Sequence, residues 1–282
     1  MARTGPVTKD TSTVALGLAK IMVGPSDYAA NSKTVTFNDT DNTVVAATHG
    51  FVVHDPVVFS TTDALPAAIS PATRYYVVST GMAVGAFRIA ATKGGTPIAF
   101  ATAGTGTHTC ARDTNINKAT AVLDESFDSL GALNTSSFTS NVEYWKLESG
   151  FPMLEDLSIP LRESAMLECE FKEVHPRNLA YARGIDASAA SFDNNHSGSI
   201  SLGTMSAPAF VRAEAVYTYP NGTNKMSIIF PRANVTSSVN LNFAAEDNAN
   251  VPITIEAKRA DSEVEGGHAT WDTAPLGKII FS

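Results

Sequence analysis

Apolar and polar side chains alternate strictly along much of the C-terminal half of this chain, and period two restricts such segments to half-buried strands. Residues 235–243 set Val235, Ser237, Val239, Leu241 and Phe243 against Thr236, Ser238, Asn240 and Asn242. Residues 251–260 set Val251, Ile253, Ile255 and Ala257 against Thr254, Glu256 and Lys258. Residues 166–174 set Leu167, Cys169 and Phe171 against Glu168, Glu170 and Lys172, and residues 211–219 align Val211, Ala213, Ala215 and Tyr217. Shorter strands are predicted over 225–230 and 276–281, with Pro220-Asn221-Gly222 as a hairpin loop. One helix interrupts the pattern. In residues 175–184 Pro176 suits a first helical turn and Gly184 a C-terminal cap. The N-terminal half adds strands over 33–38, 56–60, 74–79 and 86–90, so the chain is expected to be mainly β.

Charge divides the chain in two. Acidic residues outnumber basic ones 28 to 20, a net charge of −8. Residues 32–113 carry five basic and five acidic side chains, so the whole excess lies outside them. That stretch has seven aromatics, enough for a core of its own, and turn-prone flanks, PSDYAANS and RDTNINKA. It is expected to be an inserted β domain of residues 32–113, entered near Asn31 and left near Asp113, with residues 1–31 and 114–282 forming the other domain. A net acidic chain is poorly suited to grip nucleic-acid phosphates. Charged residues are only 17% of the total, against about 25% in ordinary soluble domains, which points to surface covered by partners. No apolar run approaches the ~20 residues of a membrane span, and the first residues lack the apolar core of a secretory signal.

Motifs for catalysis are missing. The chain has no H-E-x-x-H, no G-x-S-x-G and no P-loop. His49 and His54 lie near one turn without a Cys or acidic cluster to complete a zinc site. Residues 193–200 imitate half of a calcium loop, but the twelfth position is Thr204 rather than Glu. Glu155-Asp156 and Glu246-Asp247 read as solvated pairs. Cys110 and Cys169 have no C-x-x-C spacing; Cys169 alternates with Leu167 and Phe171 as a buried thiol, consistent with folding in a reducing cytoplasm. No catalytic residue, metal or cofactor is expected, and a structural or binding role is favoured over an enzyme.

Residues 142–164, VEYWKLESGFPMLEDLSIPLRES, run directly into AMLECEFKEVHPRNLAYARG at 165–184. Residues 225–263 and the closing WDTAPLGKIIF at 271–281 follow in order, and VALGLAKIMVGP opens the chain at 14–25. This arrangement resembles the major tail tube proteins of long-tailed, non-contractile bacteriophages. RYYVVSTG, FRIAATKGGTPIAF and AGTGTHT, within 74–109, resemble a small β module that recurs in phage structural proteins.

The resemblance implies a β-sandwich or barrel with one flanking helix. It implies hexameric rings stacked into a tube around a tape measure protein, capped by tail terminator and tail-tip proteins. DNA would pass through without specific binding, in a virion assembled in the host cytoplasm. Candidate subunit contacts are Tyr144, Trp145, Phe151, Pro152, Met153 and Leu154, in an aromatic-rich loop, unless Trp145 and Phe151 pack within their own subunit. Candidate lumen-facing residues are Glu168, Glu170, Thr236, Ser238, Asn240 and Asn242; the same polar faces equally suit an outer surface. An acidic and neutral lumen would repel phosphate. The inserted domain is expected on the tube exterior. Competing readings are a tail-tip adhesin, a capsid decoration protein, or a polysaccharide hydrolase using Glu155 or Asp156.

Overall fold

The structure is a computed structural model that describes residues 17–26, 31–113, 123–149, 154–185, 199–200, 208–236, 239, 241 and 249–282. It is mainly β, with antiparallel pairing throughout. The chain divides into two compact units, a discontinuous one of Met1–Ser26 with Asp128–Ser282, and a continuous one of Asp27–Phe127.

The discontinuous unit is built on one sheet. Its strands are β1 (Lys20–Pro25), β8 (Leu133–Ser149), β9 (Leu154–Phe171), β10 (Phe210–Thr218), β11 (Lys225–Val235), β12 (Val251–Ala257) and β13 (Lys278–Phe281). Their order is β1-β10-β11-β12-β9-β8, with β13 also on β11. β11 changes partner along its length: Met226–Ile229 pair with β13, and Ala233–Val235 with β12. Pro231 lies at the changeover, where the register against β10 shifts. A proline has no N–H to give a ladder, so a bulge is where a strand tolerates one.

Helix α2 (Pro176–Ala182) covers one face of this sheet. His175 caps it by accepting from the Arg177 N–H, Pro176 begins it, and Gly184 follows at φ +70°. Ala180, Tyr181 and Ala182 are buried with Leu167, Phe171 and Ile253. The opposite face of β10 is also covered. Arg212 and Glu214 are fully buried there, near Trp271, Ile229 and Ala260, under the segment that follows β12. Arg212 Nε donates to Glu214 Oε1 at 2.7 Å.

The second unit is a closed barrel of β2 (Ser32–Asn38), β3 (Thr43–Val45), β4 (Pro56–Thr61), β5 (Tyr75–Ala83), β6 (Ala86–Ala90) and β7 (His108–Arg112), in the order β2-β3-β6-β5-β4-β7. Closure removes free strand edges. Phe37, Phe59, Phe87 and Phe100 fill the interior with Val57 and Ile89. Ion pairs Arg112–Asp55 and Arg74–Asp113, each at 2.6 Å, fasten the strand ends. The short helix α1 (Glu125–Asp128) lies at the boundary between the two units.

Some expectations need correction. β11 ends at Val235, so the alternation over 235–243 does not continue as a strand at Thr236, Val239 or Leu241; Val239 and Leu241 pack against the core without strand pairing. The strand expected over 166–174 is the end of the much longer β9. β1, β3, β7 and β8 carry weaker alternation and were not anticipated. The barrel unit, Asp27–Phe127, contains the whole of the expected 32–113 stretch and extends past it at both ends. The reason is Phe127, whose ring packs on His54 at 4.7 Å and fills the space above Gly94.

Candidate functional site

Two surfaces of the sheet unit stand out, and both grow from the β8–β9 hairpin. The first is polar. Along β9, Leu167, Cys169 and Phe171 turn into the core, so alternation turns Glu168 and Glu170 outward. Register places Ser137 of β8 and Thr254 of β12 beside Glu168. The Ser137 hydroxyl donates to Glu168 at 3.3 Å, and the Asn134 amide donates to Glu170 at 3.1 Å. Thr236 continues this face: its N–H bonds the Thr254 carbonyl, and its hydroxyl donates to Glu256 at 3.4 Å. Lys258 bonds the Glu256 carboxylate at 2.7 Å and holds its pKa below the usual value. The face is thus one of hydroxyls and carboxylates, with Lys258 and Arg162 as its basic groups near Glu256.

The second surface is apolar. β12 pairs with β9 only at Met166–Phe171, so residues 154–165 have β8 as their sole partner strand among the described residues. The hairpin therefore runs on as a two-stranded arm of about ten residue pairs, roughly 30 Å at the usual strand rise. Leu147 lies opposite Leu157 and Trp145 opposite Ile159, and directly opposed side chains share a face. Trp145 is 46% exposed and Leu157 49%. Tyr144, on the other face opposite Pro160, is 53% exposed, and Leu161, at a register shift, 67%. Large apolar groups thus stand in water on both sides of a ribbon only one layer thick.

The two sequence-predicted sets fare differently. Glu168, Glu170 and Thr236 do share one face. Ser238, Asn240 and Asn242 lie outside the described residues. Tyr144 and Trp145 are exposed rather than packed in their own subunit, but they belong to strand β8, not to a loop. Leu154 opens β9, while Phe151, Pro152 and Met153 lie outside the described residues. Leu147, Leu157, Ile159 and Leu161 were missed. Their signal was available, since Leu157, Ile159 and Leu161 alternate with Ser158, Pro160 and Arg162.

The other sequence candidates are placed as follows where they fall among the described residues. His49 and His54 do not form a pair. His49 is buried, its Nε2 bonded to the Ala83 carbonyl and its Nδ1 accepting from the Phe51 N–H, while the His54 ring packs at a tilt against Phe127. Glu155 lies opposite Glu148 in the arm, and Glu246-Asp247 and residues 193–198 lie outside the described residues. Among the described residues no cluster of three or more His, Cys, Asp or Glu side chains forms a metal site, and no helix is long and apolar enough to cross a membrane. A scan of protein-family models and a search of curated proteins find no match to this chain.

Proposed function

We propose that the chain is a structural subunit that polymerises into the tail tube of a long-tailed bacteriophage. The observation that carries this reading is the arm. A two-stranded ribbon is marginal in water, and one with Trp145, Leu147, Leu157 and Ile159 on a single face needs a covering partner. The resemblance to tube proteins supplies the kind of partner, other copies in stacked hexameric rings. The polar face supports the same reading: Glu168, Glu170 and Glu256 beside Ser and Thr hydroxyls make a surface that repels phosphate, as a lumen passing DNA requires. In this arrangement the barrel unit decorates the exterior, the tape measure protein occupies the lumen during assembly, and terminator and tip proteins close the ends.

The test is negative-stain electron microscopy of the purified full chain, alone and with Trp145→Ala. Rings or hollow tubes from the wild type are expected. The variant is expected to remain a soluble monomer with an unchanged thermal midpoint. Wild-type chain that stays monomeric at all concentrations while binding host cells or capsids would transfer the assignment to an adhesin or decoration protein.

A further inference from the structure

The core face of the sheet does not stop at β11. Ile279 of β13 lies opposite the buried Ile228, and Phe281 opposite Met226, so both side chains extend that face to the rim. There they are 46% and 69% exposed. Lys278 and Ile280 alternate to the other side, where Lys278 Nζ stands 5.2 Å from the Trp271 ring centre. The outward face of β13 is therefore apolar without a charge of its own. Among the described residues no strand pairs with the far edge of β13.

We propose that the arm of one copy seats Trp145, Leu147, Leu157 and Ile159 against Ile279 and Phe281 of a second copy. The proposal rests on the reading of the chain as a self-assembling subunit. Three observations select this occupant. The arm and the β13 rim are the two places in the sheet unit where large exposed apolar side chains cluster among the described residues; Leu18, Val174 and Phe210 stand singly. The contact residues themselves carry no charge: Lys146 and Lys278 each point away from the face concerned, and the nearest charges on the arm face, Glu143 and Arg162, stand opposite each other, so docking leaves no lone charge. Finally, the surfaces differ from each other. An arm-to-arm contact would be self-complementary, would close at two copies and would leave the β13 rim in water. An arm-to-rim contact is head-to-tail, covers both, and repeats from copy to copy. Trp145 and Phe281 are the aromatic anchors.

The test is disulfide trapping. Cys110 and Cys169 are buried, so added surface thiols report alone. Leu147→Cys chain and Ser282→Cys chain are mixed and oxidised, and the double variant is oxidised by itself. Expected are a covalent dimer from the mixture, a ladder of oligomers from the double variant, and little dimer from either single variant. Phe281→Ser, at an exposed position, is expected to raise the concentration for assembly at least tenfold with no change in thermal midpoint. Efficient dimer from Leu147→Cys alone would show arm-to-arm pairing and overturn the proposal. Tubes without a ladder would overturn it while leaving the tube reading intact. Absence of any assembly or cross-link would overturn both.

Discussion

Arg212 and Glu214 are two residues apart on β10 and fully buried, which makes them the most consequential charges in the sheet unit. Removing one partner of such a pair leaves a buried charge, so Glu214→Ala is expected to cost about 3–5 kcal/mol. Replacing both with Met and Leu is expected to be close to neutral. Denaturant midpoints of the two variants check this. The run Val211-Arg212-Ala213-Glu214-Ala215 reads as a strand with one wet face, because alternation reports side-chain type and not what covers it. The cover comes from Trp271 and Ala260, far along the chain, and nothing local announces them. The Cys169 thiol, in contrast, was legible from its apolar neighbours Leu167 and Phe171. Burial pushes Cys169 up to about 12, with Glu168 adding to the shift, and raises Cys110 also. The native protein is therefore expected to resist thiol reagents at pH 8 and to react only on unfolding. The sign of the linkage follows from the raised values: unfolded thiols ionise near pH ~8.5 while the folded ones stay neutral. These two groups thus lower stability progressively as pH climbs from about 8.5 towards 12. Thermal melts across that range, with Cys169→Ala showing a shallower decline, measure it.

At the scale of elements, the legible ones have local chemistry that agrees with their surroundings. Helix α2 was readable because Pro176 and Gly184 mark its ends and the structure uses both. The arm was not. Residues 142–148 are apolar at odd and even positions alike, through Val142, Tyr144, Trp145 and Leu147, which defeats a search for one buried face. That ambiguity is the physical property of interest, since a ribbon with two exposed faces has no inside until another molecule supplies one. Amides over 140–148 are expected to exchange quickly in the monomer and to gain protection of at least tenfold on assembly. Hydrogen-exchange mass spectrometry of both states tests this, and Trp145 emission should shift to shorter wavelength in parallel. The opposite error occurred at 235–243, where alternation predicted a strand but β11 ends at Val235. Val239 and Leu241, the described positions beyond Thr236, are partly buried against the core without being strand, so period two marked their burial and not their pairing.

For the whole molecule, the charge arithmetic located the second unit better than any motif did. A neutral, aromatic-rich stretch inside an acidic chain has its own core, and the barrel is filled by Phe37, Phe59, Phe87 and Phe100. The compact unit extends past the neutral stretch because Phe127 packs on His54 and over Gly94. Gly94→Ala is expected to destabilise this unit alone, since φ is +65° and an added Cβ would overlap the Phe127 ring. Replacing residues 27–127 with a short Gly-Ser linker is expected to leave the sheet unit folded and competent to assemble. Circular dichroism and electron microscopy of that variant check both parts.

Ser32 lies opposite Ala111, and the Arg112 N–H bonds the Asn31 carbonyl at 2.7 Å, so the chain enters and leaves the barrel through neighbouring strands. The barrel's own first and last strands thus bring residues 31 and 112 to neighbouring positions, about one strand spacing, ~4.8 Å, apart. In terms of genes, a unit whose entry and exit adjoin in this way is a portable cassette, expected to fold when spliced into a surface turn of another chain.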